Sequence, residues 1–320
     1  MTGADAQGQA QTHPLVGTEA APPRPLDAWA WLGIGVASAV VGLLPWIITG
    51  MRLPLQNLWA AGTLPADMPF ALLPFSQYYI TLVAALLVIG AAIAGVVARS
   101  TRARLGRRGF VALTAGVLGA QLVAIVQTTT EVAPGLRPGS ASLIYLVAVV
   151  AAALASLVVA ALVLVLIARM PRAGALIGLS LAAVAAGWWV SALIIPSPGL
   201  VSDLQSTLVG LVRWLPAILC GIAIAWCGVT SIGRVLAALT AVAAVVVGAA
   251  FATAVTSAAG SWALARQPAE MLDYGVQVFG QALFTPALTL RPIVATLIIA
   301  AVGLVVAAVL RRRRLPADET

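Results

Sequence analysis

In a chain with almost no charge, nine polar side chains have the type and spacing to do chemistry. Glu270, Asp273 and Gln277 stand three and four residues apart, with Arg266 just upstream, in the stretch RQPAEMLDYGVQVFGQ (266–281). Asp203 and Arg213 flank the start of one apolar run, and Gln121, Gln127 and Glu131 gather towards the end of another. Carboxylates, amides and guanidinium groups can pair, read a partner or a headgroup, or line a path through lipid. They lack the companions that catalysis uses. The chain has no lysine, so a Walker-type phosphate loop and a Schiff-base mechanism are both excluded. Its single histidine, His13, lies in a polar N-terminal stretch. Cys220 and Cys227 are seven apart on one expected helix, about 10 Å along its axis. That is too far for a disulfide, and they read as small packing residues. The expectation is a protein that is not an enzyme, with no catalytic residue, no cofactor and no metal site.

The elements that position these residues follow from hydropathy. The 320 residues are 62% hydrophobic and 9% charged, with a mean hydropathy of +1.05. So little charge does not solvate a globular domain, and lipid is the remaining solvent. Eight apolar runs, near 29–50, 77–98, 109–128, 143–168, 174–195, 209–230, 233–256 and 288–310, each have about the 20 residues that a helix needs to cross about 30 Å of hydrocarbon. The fold class is therefore all-α: a polytopic integral membrane bundle of about eight transmembrane helices over 27–310. Residues 1–26 and 311–320 read as cytoplasmic tails, the first disordered and the second basic.

Charge orients the bundle. The connections at 99–108, 169–172 and 231–234 and the terminal RRRR are short and basic, whereas those at 51–76, 129–142, 196–208 and 257–287 are longer and mixed. With both termini in the cytoplasm, that side holds thirteen of the eighteen arginines and five of the ten acids. The other side is neutral, so the whole formal +8 falls on one face. The basic character is thereby explained by anionic headgroups, without nucleic acid. Heavy use of alanine, glycine, arginine and proline suggests a bacterial plasma membrane. Small residues four apart, Gly35 with Ala39, Ser38 with Gly42 and Ala91 with Gly95, allow close helix packing in lipid.

Three outer features carry the functional expectations. The stretch 268–283 reads as an amphipathic helix lying on the outer surface, with Leu272, Val276, Phe279 and Leu283 downward and Glu270, Asp273, Gln277 and Gln281 upward. The segment 51–76 is nearly uncharged and rich in proline. It is expected to fold back over the bundle or into the headgroups, with Trp59, Phe70, Phe75, Tyr78 and Tyr79 forming an aromatic belt. Thr114, Gln121 and Thr128 repeat every seven residues as a polar seam, for interhelical hydrogen bonds or a pathway. Arg213 is expected within snorkelling reach of the outer interface, with Asp203, Glu131 or Asp273 as a possible partner.

The stretch QTTTEVAPGLRPGSAS (127–142) resembles the acidic QxxxE and the glycine-serine-arginine elements of undecaprenyl-diphosphate phosphatases. The resemblance implies an outer-face lipid-phosphate phosphatase. Here the two elements abut, the arginine precedes the glycine-serine pair, and no histidine is available, so a Pro/Gly turn explains the same letters. No acid stands near the middle of any span, as an ion-coupled pump would require. The reading that remains is a non-enzymatic scaffold or accessory subunit, bathed in membrane lipid, that engages an envelope protein partner through its outer loops. The alternative is a transporter or permease component for a neutral or lipid-like substrate.

Overall fold

The computed structural model describes residues 27–195, 201–261 and 267–313. The expected tail 1–26, residue Arg266 and the end of the basic tail lie outside the described residues. Among the described residues the structure is helical and without named strands, as the all-α reading requires. Seven helical stretches are long and apolar enough to cross a membrane, which makes this a multi-pass membrane protein.

The first expected crossing is divided. Helix α1 (Ala28–Gly42) has 15 residues and is followed by the short α2 (Leu44–Ile48). Pro45 brings no N–H, and the break falls at Leu43. The Trp46 N–H turns to the Leu43 carbonyl, and the Trp189 indole N–H takes the carbonyl of Gly42 at 2.7 Å. The remaining helices are α3 (Ile80–Ser100), α4 (Arg107–Gly135), α5 (Ser140–Arg169), α6 (Arg172–Ile194), α7 (Asp203–Val212), α8 (Leu215–Cys227), α9 (Ile232–Gly260), α10 (Pro268–Phe284) and α11 (Pro286–Arg313). Helices α7 and α8 together form one broken crossing, Asp203–Cys227.

The helices form two packed groups that share α6. In the first, α1, α3, α4 and α5 enclose a core that includes Trp31, Leu86, Leu113, Val117, Leu164 and Ile167. The second joins α6, α8, α9 and α11 around Leu176, Ala223, Ile224, Ala241 and Ala300. With no water to expel between helices in lipid, close backbone approach and dispersion hold such contacts. Gly35 and Gly116 supply it between α1 and α4: a Cβ on Gly35 would meet the Leu113 carbonyl oxygen at 2.2 Å, and one on Gly116 would meet that of Leu32 at 2.3 Å.

Contacts along the helices settle which ends share a face. Trp31 packs on Gly109, so α1 and α4 start together. Arg99, at the end of α3, and Arg172, at the start of α6, both lie over Trp226 at the end of α8. Gly221 packs on Ile299 and Gly303 on Ala225, so α11 runs parallel to α8. Both described ends of the bundle therefore lie on the face that carries the basic connections.

Two expected connections are partly helical. Helix α4 continues through QTTTEVAPG to Gly135, leaving only 136–139 as a turn. Helix α7 starts at Asp203 with a capping box, in which the Ser202 hydroxyl accepts from the Gln205 N–H and the Gln205 side chain accepts from the Ser202 N–H.

Candidate functional site

The polar seam of α4 meets segment 51–76, the segment expected on the outer side. After α2 the chain reverses at Gly50 and Met51, both at positive φ, and runs inward again. Leu53 N–H donates to Pro69 O and Ala71 N–H to Met51 O, each at 2.9 Å, so the segment pairs with itself as a narrow hairpin. Leu53, Met68, Ala71, Leu73 and Phe75 are fully buried. Phe75 is thus a core residue and does not belong to the expected aromatic belt; Phe70 and Tyr78 remain exposed. The segment folds back over the first helix group, one of the two placements expected for it.

Backbone groups brought to that depth need partners, because a buried amide left unpaired is costly. The seam supplies them. Gln127 Nε2 donates to Phe70 O at 3.0 Å, and its Oε1 accepts from Leu72 N–H at 2.9 Å. Thr128 Oγ1 accepts from Leu73 N–H at 2.9 Å. Trp46 Nε1 donates to Ala71 O, and Gln56 Nε2 to Phe75 O, while the Tyr145 hydroxyl donates to Gln56 Oε1. Trp59 lies flat over Gly135, where any Cβ would collide with its ring, and Arg137 Nε donates to Trp59 O. Deeper in the bundle, fully buried Gln121 donates through Nε2 to Leu87 O at 2.7 Å, and its Oε1 has no partner among the described residues. Glu131, one turn beyond Gln127, is half-buried. Gln56, Trp46 and Tyr145 were not singled out from sequence. The signal was present in the nearly uncharged length of 51–76, which had to be covered by something.

Arg213 is exposed, in the break between α7 and α8. Asp203 opens α7, about 15 Å away along the helix axis, so the expected pairing of these two does not form. Among the described residues no arginine approaches a carboxylate to within 4.0 Å. Asp203 instead sits at the positive end of a helix dipole.

Helix α10 exists with nearly the expected bounds, but its seat differs. It packs chiefly against α9. The side turned inward carries Met271, Gly275, Val278 and Ala282, and a Cβ on Gly275 would touch that of Ala258 at 3.4 Å. Leu272 and Val276, expected to face down, are 68% and 62% exposed. Small residues allow the closer helix approach, so the Gly275–Ala282 side docks; of the expected apolar stripe, about a quarter turn away, Phe279 and Leu283 are half-buried while Leu272 and Val276 stay outside. Glu270, Asp273 and Gln277 are exposed on a third side.

The eight candidates among the described residues thus occupy separate places: the Gln121–Glu131 seam under the outer segment, the ends of α7, and the free surface of α10. Among the described residues neither α4 nor α7 packs extensively against α10. Two open surface hollows lie on the arginine-rich face, one at Arg107, Arg108, Val111 and Ala112, the other at 229–236. No protein-family model, no curated protein and no solved structure matches this chain.

Proposed function

We propose that this multi-pass protein is a non-enzymatic scaffold or accessory subunit of a bacterial plasma membrane that holds an envelope protein at its outer face through α10. The observation behind this reading is the way α10 is seated. It rests on α9 through small residues and leaves Leu272 and Val276 uncovered beside Glu270, Asp273 and Gln277. An apolar strip flanked by polar groups matches the anatomy of a protein interface, with a core and a rim. The polar groups inside the first helix group are used differently, since Gln127 and Thr128 are taken up by the chain's own backbone. A photo-crosslinking residue placed at Leu272 or Gln277 in native membranes should yield a discrete protein adduct. The same residue at Val158, a 69% exposed position on α5, should yield none. Identical patterns at all three sites would refute the reading.

A permease component for a neutral or lipid-like substrate is the second reading, and the broken crossing α7–α8 favours it. Pro216 offers no N–H to the Val212 carbonyl, and unwound backbone of this kind builds substrate sites in transporters. Solute flux in vesicles holding the purified chain alone, with no crosslinked partner in cells, would select that reading.

A further inference from the structure

We propose that the arginine-rich end of α3, α6 and α8 binds an anionic phospholipid, whose phosphate is held by Arg99 and Arg172 beside the indole of Trp226. Arg99 lies in the last turn of α3 with its guanidinium 5.0 Å from the centre of the Trp226 ring. Arg172, the first residue of α6, lies 6.0 Å from the same ring. Two cations gathered on one half-exposed indole repel each other, and neither has a carboxylate within 4.0 Å among the described residues. The one described acid at this end of the bundle, Asp27, accepts from the N–H of Ala28 at 2.7 Å. The chain therefore concentrates positive charge here and leaves the counter-charge to something else.

Arg99 has a structural duty that leaves capacity over. Its Nη1 donates to Ile167 O at 2.8 Å and to Met170 O at 3.0 Å, capping the C-terminal end of α5. A guanidinium has five N–H donors, so donors on Nε and Nη2 remain. Arg172 is exposed. Phosphate oxygens are the acceptors that planar guanidinium groups match best. A tryptophan with one wet edge suits the headgroup level, and basic pockets between helix ends bind anionic headgroups. The surface one turn deeper selects a lipid over a soluble phosphate. Val96, one turn before Arg99 on α3, and Ile222, one turn before Trp226 on α8, are both about half exposed, so apolar surface on each helix is available to an acyl chain below the cationic pair.

Native mass spectrometry of the full chain in detergent tests this, with phosphatidylglycerol and phosphatidylcholine of identical acyl chains as probes and glycerol phosphate as the soluble arm. Phosphatidylglycerol adducts should outnumber phosphatidylcholine adducts on the wild type, and an equal concentration of glycerol phosphate should not displace them. Arg172→Gln should weaken phosphatidylglycerol binding about fivefold, the scale of one basic residue at an anionic surface. Arg172→Lys, which keeps the charge and loses the planar group, should fall between. Arg108→Gln removes the same charge from the same face of the bundle and should leave binding unchanged. Equal weakening by Arg172→Gln and Arg108→Gln would reduce the site to diffuse surface charge and overturn the proposal. Equal adducts with both lipids, or displacement by glycerol phosphate, would overturn it too. So would a lowered melting temperature of Arg172→Gln with lipid preference intact, which would make the cluster a helix clamp only.

Discussion

The side-chain amide of Gln127 substitutes for a strand edge at Leu72: its Oε1 accepts the Leu72 N–H at 2.9 Å while its Nε2 reaches the carbonyl two residues earlier. Gln127→Leu should cost about 1–3 kcal/mol, because it leaves backbone polar groups of the outer segment without partners. Gln127→Glu keeps the acceptor for Leu72, loses the donor for Phe70 and should cost less. Thermal unfolding in detergent checks the order. Equal stability of both variants with wild type would mean that the segment is held by its apolar side chains alone.

Gly35 and Gly116 face each other where α1 crosses α4. Replacing either by valine forces the helix backbones apart, at a cost of about 1–3 kcal/mol or more. Gly33 has open space where its Cβ would be, so Gly33→Val is the control and should fold as wild type does. Size-exclusion profiles and melting temperatures of the three variants separate the cases.

On α10, Val276→Asp should leave the melting temperature of the detergent-solubilised protein close to wild type, since Val276 points away from α9. Gly275→Leu should lower it, because the new side chain meets Ala258. Cysteine accessibility on a Cys220→Ala/Cys227→Ala background gives a second measure. Positions 273 and 277 should react with a hydrophilic maleimide, whereas 275 and 282 should be protected. Reaction at all four would mean that α10 does not rest on α9.

The arginine-rich face should be cytoplasmic. A reporter active only outside the cytoplasm should be silent when fused after Arg104 and active after Asp273. The reverse pattern would invert the orientation and move α10 inside the cell.

Much of the architecture was legible from the letters. The helical class, seven of the eight expected crossings and the collection of arginines on one face need only residue type and spacing, because hydrocarbon accepts a long apolar helix almost regardless of its neighbours. The small-residue pairs were visible too, but not their partners. Gly35 meets α4, Gly42 meets α3 and Gly95 meets α5, and only the assembled bundle decides which.

What the sequence by itself determined is therefore the set of helices and the face on which charge gathers. What only the tertiary structure decided is where each polar or apolar stripe is spent. Hydropathy placed Leu272 and Val276 on the buried side of α10, because in water the larger apolar surface goes inward. Against another helix in lipid that drive is absent, and the side that permits closest approach, Gly275 and Ala282, docks instead. The same holds for α4. Gln127 and Thr128 could have lined a path, but the returning segment 51–76 brought N–H and C=O groups that had to be satisfied, and theirs were the side chains within reach. Periodicity reports the faces of a helix, whereas the partner for each face is set by other parts of the chain: segment 51–76, whose Leu72 lies fifty-five residues before Gln127, for α4, and the preceding helix α9 for α10.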